Sequence, residues 1–423
     1  MKFQIKAFES RENSIILSKD TYDYENVYTM LVGRNASGKS RLLGKIANHY
    51  VFQRDDPYEA IFPACNSAMD PQQVIVISNS RYDKFPDPIR SGSDKNRSFL
   101  SYHYLASGSD RFFSPYKTLT TAFGEIFNFR SGSSRKERDL FRILDYIGFL
   151  PSCSFEIRRV QSAINISDRR SSEQSLFTQE EFDSNLRPSL EHLDFLMRGS
   201  RSISIRLDEY SGWQADADID KLIQHLPSLM KAGLVKVSRL TLFDRRSKDK
   251  VLFHHASSGQ QCMLLLFLGL SGVMEDGSLV CIDEPEISLH PKWQAEFIGL
   301  LQETFSHYKG CHFLIATHSP QIVSGLLSEN GFVADLERSE LLRSSDYAKK
   351  SADFQLSEVF HEPGYKNEYL IRTLLVILSK ISKNQKLSIQ DKEKITNVES
   401  LRYRLDQADP VLHLLEQIKM LAY

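Results

Sequence analysis

Continuous apolar runs alternate along the chain with segments of mixed polarity, and the two patterns predict different elements. The runs Val27–Val32, Val74–Ile77, Leu279–Ile282 and Cys311–Ala316 predict strands buried on both faces of a parallel sheet. Residues Arg41–Ala47 have helical spacing instead. Because buried strands alternate with helices, the pattern predicts an α/β fold built on a mixed sheet.

Helical spacing dominates two further regions of the chain. Leu140–Leu150, Gln179–Met197 and Ala217–Met230 predict a helical insertion between the two halves of the sheet. Leu356–Ile381 and Ile395–Leu421 predict a helical C-terminal domain. No sustained heptads occur, so a long coiled coil is not expected.

Polar loops and short strand patterns suggest where the domains meet. Loops at Gly132–Lys136 and Asp168–Ser172 bound the insertion, and a strand pair, Val235–Phe243 and Val251–His254, leads back into the core. Met1–Lys6 alternates like a strand. The predicted organisation is an N-terminal lobe over residues 1–130, a helical insertion over 131–234, a second lobe over 235–340 and a helical domain over 341–423.

The stretch Gly33–Ser40 has the spacing of a phosphate-binding loop. It lies between a predicted strand and a predicted helix, which is the context that such a loop requires. Its glycines let successive backbone N–H groups turn towards phosphate oxygens, and the helix N-terminus adds a positive dipole end. Lys39 is expected to reach the β- and γ-phosphates and Ser40 to bind Mg²⁺, so the loop predicts a nucleoside triphosphate ligand.

Polar residues at the ends of two other predicted strands add chemistry to this loop. Asp283 and Glu284 follow Leu279–Ile282, and we expect Asp283 to hold Mg²⁺ through water and Glu284 to orient or deprotonate an attacking water. His318 follows the next strand and is expected to donate a hydrogen bond to the γ-phosphate.

Small residues precede a strongly apolar helix over Cys262–Leu268. Ser257, Ser258 and Gly259 there predict a second helix N-terminus able to bind an anion. The same residues are also ordinary helix capping, and the sequence leaves both interpretations open.

The order of these motifs resembles the head of ABC-type ATPases. Gly33–Ser40 matches the Walker A motif, Ala256–Gln260 the signature, Leu279–Glu284 the Walker B motif and His318 the switch histidine. The segment Asp283–Pro291, with its acidic-Pro motif followed by Leu-His-Pro, is similar to the OLD, RecF and SMC branch. Within that branch the chain resembles the ATPase subunits of anti-phage modules such as Septu, PARIS and retrons.

The resemblance covers residues 1–130 and 235–330 and implies a sandwich of two heads around two nucleotides. Ser257 and Gly259 would then act in trans on a nucleotide held by a second copy, so a homo-oligomer, at least a dimer, is expected. Ser288–His290 would match the D-loop. The residues expected to contact ATP are Gly33, Asn35, Gly38, Lys39, Ser40, Arg41, Ser257, Ser258, Gly259 and Gln260, with Ser40 and Asp283 on Mg²⁺ and Glu284 and His318 in catalysis.

The chain departs from the transporter pattern at two places. The signature carries Ser258 where transporters have glycine. No Q-loop glutamine is obvious after Val74–Ile77, where Asn79 is a candidate for completing the Mg²⁺ shell and a plain loop residue is the alternative.

Charge limits the classes of partner that the sequence predicts, and cysteine content indicates the compartment. Lys and Arg total 53 against 54 Asp and Glu, so no overall basic field favours nucleic acid, and direct DNA binding is left open. The five cysteines have no paired metal-binding spacing and are expected to be reduced thiols of a cytoplasmic protein. No run of about 18 apolar residues occurs, so no membrane span is expected.

The sequence therefore predicts an α/β P-loop ATPase that works as a nucleotide-dependent switch. The resemblance implies slow hydrolysis through Glu284 and control of a separate effector, a nuclease, in anti-phage defence. The first alternative is a DNA-repair or chromosome-maintenance ATPase. The second is a scaffold without hydrolysis, but Glu284 argues against it. The third is a transporter motor, which the segment 286–291 disfavours. The tail acids Glu329, Asp335, Glu337 and Glu340 are scattered, so no nuclease is expected in this chain.

Overall fold

The computed structural model describes residues 3–9, 14–19, 21, 25–34, 36–51, 64–78, 84–86, 101–106, 115–127, 135–160, 186–197 and 200–422. The strands are β1 (Ile5–Glu9), β2 (Ser14–Ile16), β3 (Val27–Val32), β4 (Ala64–Ser67), β5 (Gln73–Ser78), β6 (Ser101–Ala106), β7 (Phe149–Arg159), β8 (Ile203–Asp208), β9 (Gly212–Ala215), β10 (Val235–Asp244), β11 (Lys250–Leu252), β12 (Leu279–Asp283), β13 (His312–Ala316), β14 (Gly331–Asp335) and β15 (Glu340–Arg343). The longer helices are α1 (Lys39–Val51), α2 (Pro115–Phe127), α3 (Arg135–Tyr146), α4 (Arg187–Leu196), α5 (Ile219–Lys231), α6 (Ser258–Val273), α7 (Pro291–Thr304), α8 (Pro320–Ser324), α9 (Glu368–Ser382), α10 (Ile389–Ser400) and α11 (Pro410–Ala422).

A seven-stranded sheet with the strand order β15-β14-β3-β13-β12-β5-β6 forms the centre of the molecule. Its neighbouring strands are parallel except β15, which is antiparallel to β14. Every residue of β3, β5, β12, β13 and β14 is buried, because both faces of the sheet are covered. The continuous apolar runs thus predicted β3, β5, β12 and β13 correctly, and the predicted α/β fold class is confirmed.

The strand register brings several carboxyl ends to one edge of this sheet. Asp283 at the end of β12 pairs with Ala316 on one side and Ser78 on the other. Ala316 in turn pairs with Leu31 near the end of β3. The loops that follow β3, β12 and β13 therefore leave the sheet side by side, at the edge where open α/β sheets bind ligands.

Two smaller antiparallel sheets cover the central sheet together with helices. On one face α1 packs in a core shared with the three-stranded sheet β2-β1-β4. On the other face α2, α3 and α6 share a core with the five-stranded sheet β11-β10-β7-β8-β9. Helix α6 is buried along almost its whole length, in agreement with its nearly continuous apolar sequence.

The region predicted as a helical insertion contains strands as well as helices. Helices α3, α4 and α5 lie within residues 131–234, but so do β7, β8 and β9, and β7 begins at Phe149 inside the predicted helix over Leu140–Leu150. The strand Ile203–Asp208 alternates buried and more exposed residues over only six positions. So short a period-two pattern is easily hidden beside longer helical ones. The domain boundaries themselves stay predictions, and residues 132–134, 168–172 and 179–185 lie outside the described residues.

The C-terminal helices α9, α10 and α11 pack around a core of their own, centred on Leu374, Val398 and Leu415. Both long helices that the sequence predicts in this region are interrupted in the structure. The predicted helix over Leu356–Ile381 starts only at Glu368, with Asn367 as its cap, because Pro363 and Gly364 interrupt it.

A π-helical turn, Gln355–Val359, precedes this break. The predicted helix over Ile395–Leu421 is likewise divided, since Pro410 begins α11 after a short turn. These breaks leave residues 355–367 as a connector between the central sheet and the C-terminal core.

All five cysteines are free, and four of them are buried: Cys153, Cys262, Cys281 and Cys311. Burial raises the pKa of the Cys153 thiol to about 12, which keeps it protonated and inert. In the part of the chain that the structure describes, no helix combines the length and the apolar character needed to cross a bilayer.

Candidate nucleotide-binding site

A short loop connects β3 to α1, and the structure describes its residues 33, 34 and 36–38. Gly38 has φ +96° and Ala36 has φ +65°, left-handed conformations that glycine adopts readily and alanine only with strain. Backbone that turns in this way makes a concavity lined by N–H groups, which favours anions. Gly33 and Gly38 lie in this loop, and their contact with ATP stays a prediction. Asn35 lies outside the described residues.

Lys39 is the buried cation of this loop. It is 4% exposed, and its ammonium group donates hydrogen bonds to the carbonyls of Gly33 at 2.8 Å and Arg34 at 3.0 Å. Both bonds curl the loop back over the side chain. Burial lowers the pKa of Lys39 to about 8, although the carboxylates of Glu284 and Asp283 oppose this shift.

Ser40 and Asp283 come together although 243 positions separate them in the sequence. The Ser40 hydroxyl donates to the Asp283 Oδ1 at 3.0 Å, and Asp283 is 1% exposed at the end of β12. A hydroxyl beside a carboxylate fits Mg²⁺, which prefers oxygen ligands and takes only one or two from the protein when phosphates supply others. Among the described residues no group of three or more His, Cys, Asp or Glu could hold a metal.

Glu284 stands just beyond the end of β12 in a strained conformation. Its φ is +50°, in the left-handed region that is costly for a residue with a side chain. Its N–H donates to the Ala316 carbonyl at 2.9 Å, which fixes the backbone against β13. Strain of this kind is concentrated at functional sites. The half-buried carboxylate is therefore held at the edge of the sheet next to Asp283.

Glu286 connects the acidic segment to the histidine strand, a role that the sequence did not predict. One carboxylate oxygen accepts from the Thr317 hydroxyl at 2.9 Å and the other from the His318 N–H. Burial raises the pKa of Glu286, while both hydrogen bonds oppose the shift. Its place two residues after Glu284 is the one sequence signal that could have identified it.

His318 lies next to Lys39 at this edge of the sheet. Burial, together with the nearby Lys39 charge, lowers the pKa of His318 to about 4. The imidazole is therefore neutral near pH 7 and keeps a single N–H to donate. A neutral donor beside a buried lysine suits a phosphate oxygen.

The signature residues cap helix α6. Ser257 is its N-cap and forms a capping box with Gln260, in which each side chain accepts from the backbone N–H of the other. Gln260 also donates to the Ile147 carbonyl at 3.2 Å. Ser257 and Ser258 are exposed. The capping interpretation is thus correct for Ser257 and Gln260, and binding of an anion to the exposed end of the helix stays a prediction.

Gly259 is buried where two segments approach closely. A Cβ atom there would lie 2.7 Å from the Trp293 ring and 3.0 Å from the Ser288 carbonyl. Only glycine fits this contact without movement of a neighbour. Gly259 therefore lets the start of α6 pack closely against the first turn of α7 and the segment before it.

The structure brings the predicted residues together as two groups. Lys39, Ser40, Asp283, Glu284 and His318 converge at one sheet edge. The contacts given above for the signature residues run to residues outside the phosphate loop. Arg41 is exposed on the first turn of α1, and Asn79, the candidate for the Mg²⁺ shell, lies outside the described residues.

A family model described as "AAA domain, putative AbiEii toxin, Type IV TA system" matches residues 70–324. The chain belongs to this family of AAA domains. The matched range holds the signature, Glu284 and His318, while the phosphate loop precedes it. The resemblance to AAA-type ATPases is thereby confirmed.

Two curated relatives come from bacteria. The chain is 25% identical over 209 residues to the "Retron Vc95 probable ATPase" of Vibrio cholerae serotype O1 biovar El Tor, across 48% of this chain and 39% of that protein. It is 43% identical over 56 residues to the "Retron Ec83 probable ATPase" of Escherichia coli, across 13% and 10%. The chain thus spans about two fifths of the first relative and a tenth of the second.

Solved structures give weaker likenesses. Stu0660 of Streptococcus thermophilus covers all of this chain at 11% identity, with 95% of its own chain matched and a TM-score of 0.36. A Pyrococcus furiosus Smc head domain, bound to the C-terminal domain of ScpA, covers 81% of this chain and 97% of its own at 11% identity, with a TM-score of 0.33. Both scores are below 0.5, and nothing further follows from them.

Proposed function

We propose that this protein is an ATP-hydrolysing switch of the ABC-type AAA class. One observation carries the proposal: a buried lysine, a hydroxyl–carboxylate pair, a strained acid and a neutral histidine meet at a single sheet edge. Each group has a role in phosphoryl transfer, where catalysis is mostly positioning and electrostatic stabilisation. Membership of the AAA family supports the same function.

Each side chain has a defined task in this proposal. Lys39 binds the β- and γ-phosphates, and the neutral His318 imidazole donates its N–H to a γ-phosphate oxygen. Glu284 accepts a proton from the water whose oxygen attacks the γ-phosphorus, and the bond to the ADP oxygen breaks. Mg²⁺, which Ser40 and Asp283 would hold, neutralises phosphate charge when bound.

The proposal includes at least a dimer. Ser257 and Ser258 are exposed at the N-terminus of α6, which is 16 residues long and carries the positive end of its dipole there. A phosphate held by the phosphate loop of a second copy would bind at this positive end of α6. ATP binding then closes the assembly, and hydrolysis opens it.

We further propose that opening and closing control a separate effector, a nuclease, in anti-phage defence. The retron ATPases among the relatives support the defence context. The near balance of 53 basic and 54 acidic residues favours a protein partner over direct action on DNA.

Purification of the Glu284→Gln chain from its native host tests this proposal, with Lys39→Ala as the matched control. We expect Glu284→Gln to retain bound ATP together with a stoichiometric nuclease, identified by mass spectrometry. Lys39→Ala should carry no nucleotide. ATP bound equally to both variants would contradict the site, whereas DNA or no partner on the Glu284→Gln chain would favour a DNA-repair ATPase.

A further inference from the structure

Four charged side chains form a closed ring of alternating sign beside the phosphate loop. The Arg34 Nε lies 3.0 Å from a carboxylate oxygen of Glu362 and 3.7 Å from one of Glu337. Arg404 lies 3.4 Å from Glu362 and 3.6 Å from Glu337. We call these four residues the charge ring. Each acid in it therefore touches both arginines.

The charge ring connects four separate parts of the chain. Arg34 is the second residue of the phosphate loop, and its N–H also donates to Glu337, which follows β14, at 2.9 Å. Glu362 belongs to the connector over residues 355–367, and Arg404 lies between α10 and α11. The C-terminal helices are thereby attached directly to the phosphate loop.

The two arginines differ in how firmly they are held. Arg404 is 8% exposed at its side chain, and it also donates to the His361 carbonyl and to the Tyr403 hydroxyl. Arg34 is 41% exposed and its acid partner Glu362 is 53% exposed. An exposed ion pair stabilises little because water competes for both charges. The Arg34–Glu362 contact is the shortest of the four but also the most exposed, so water competes for it more than for the others.

A cavity of about 350 Å³ separates the phosphate loop from the connector. Gly33, Arg34 and His318 line one side, and Leu356, Phe360 and Glu362 line the other. Arg34 and Glu362 therefore border the same space as His318. If His318 contacts the γ-phosphate as proposed above, that phosphate would be bound next to this ion pair.

We propose that the charge ring couples nucleotide binding to the docking of the C-terminal helices. The inference rests on the proposed function, because it requires a triphosphate at the phosphate loop. A triphosphate attracts the exposed Arg34 and repels Glu362. The Arg34–Glu362 contact then opens, and the connector loosens while Arg404 stays anchored to Glu337. Arg34 is in this view a positioning residue that reports the γ-phosphate to the C-terminal helices.

Hydrogen exchange measured by mass spectrometry on the wild-type chain tests the coupling. The N–H groups of Phe360 and Glu362 bond within the connector, to the Gln355 and Leu356 carbonyls at 2.9 and 2.8 Å, so their exchange reports connector opening. We expect a non-hydrolysable ATP analogue to speed this exchange about threefold or more, and ADP to change it less. Peptides from α9 should not change, since that helix packs in its own core.

Glu362→Gln provides the matching variant. Removal of this carboxylate should speed connector exchange without nucleotide and raise affinity for the analogue about threefold, because Arg34 is released and one repulsive charge is gone. Glu368→Gln is the control: its exposed ion pair with Arg372 lies on α9, away from the charge ring, and neither property should change.

The experiment distinguishes failure of the coupling from failure of the proposed function. Unchanged connector exchange at saturating analogue, with binding verified by calorimetry, would overturn the coupling and leave the proposed ATP site intact. Failure of the wild-type chain to bind the analogue would overturn the proposed function and the coupling together.

Discussion

Burial of a single lysine sets the electrostatics of the candidate site. Lys39 is nearly inaccessible, so its ammonium group has lost most of its hydration, and its pKa falls to about 8. The folded protein therefore releases this proton well below the ordinary lysine pKa. A neutral amine no longer attracts phosphate, whereas the protonated form does.

ATP binding should consequently weaken as pH rises through the Lys39 pKa. We expect the dissociation constant to be flat between about pH 7 and 7.5 and to increase above pH 8, towards about tenfold per pH unit. His318, with its pKa at about 4, stays neutral over this range and adds nothing. Calorimetric titrations at several pH values measure the effect.

Lys39→Arg is the control, because a guanidinium stays protonated throughout this range. Its affinity for ATP should be independent of pH even if it is weaker overall. A wild-type dissociation constant that does not change up to about pH 9.5 would contradict the lowered pKa of Lys39.

Some site residues could be predicted from the sequence and others could not. Asp283 ends the buried strand β12, His318 comes shortly after β13, and Lys39 and Ser40 begin the helix that follows β3. Parallel strands bring such positions to one edge of a sheet. Glu286 was missed because its partners, the Thr317 hydroxyl and the His318 N–H, lie after another strand, and no spacing signals those contacts. The charge ring was missed for a similar reason, since its members come from four distant positions.

At the scale of elements, the close approach of α6 to α7 and the residues before it depends on Gly259. An alanine there would bring a methyl group within 2.7 Å of the Trp293 ring and 3.0 Å of the Ser288 carbonyl. We expect Gly259→Ala to lower the free energy of unfolding by about 1–3 kcal/mol, as overpacking does. Denaturant unfolding measures the change.

Gly299 offers a matched control on α7. It is an exposed helical glycine, and a Cβ atom there meets nothing within 4 Å. Gly299→Ala should leave the free energy of unfolding unchanged or raise it by up to about 1 kcal/mol, because alanine is the better helix former. Equal stability of Gly259→Ala and Gly299→Ala would show that α6 and α7 separate more easily than the contact distances indicate.

The burial of each element explains whether the sequence predicts it. Strands buried on both faces read as continuous apolar runs, and β12 and β13 were predicted on that basis. Strands β8 and β9 of the five-stranded antiparallel sheet are partly exposed and short, so they gave no distinct signal. Periodicity also joined α10 and α11 into one predicted helix, because apolar spacing continues past the break before Pro410.

At the scale of the whole molecule, the proposed sandwich places the phosphate loop and the signature of one site on different copies. Ser258→Arg adds a long side chain to an exposed helix start and should leave folding and ATP binding by the single chain intact. It should nevertheless abolish ATP turnover, because it blocks the face that a second copy must meet. Lys39→Ala should abolish turnover by removing the phosphate contact.

Mixing these two inactive variants separates action in trans from action within one chain. A mixed pair contains one site with the intact Lys39 of one copy and the intact Ser258 of the other, and a second site with both residues altered. We therefore expect mixing to restore ATP turnover to a substantial fraction of the wild-type rate, as measured by phosphate release. Light scattering on the mixture should show an ATP-dependent increase in mass that neither variant shows alone. If the mixture stays inactive while each variant is folded, the signature does not complete the site of a second copy, and the exposed start of α6 is a capping structure alone.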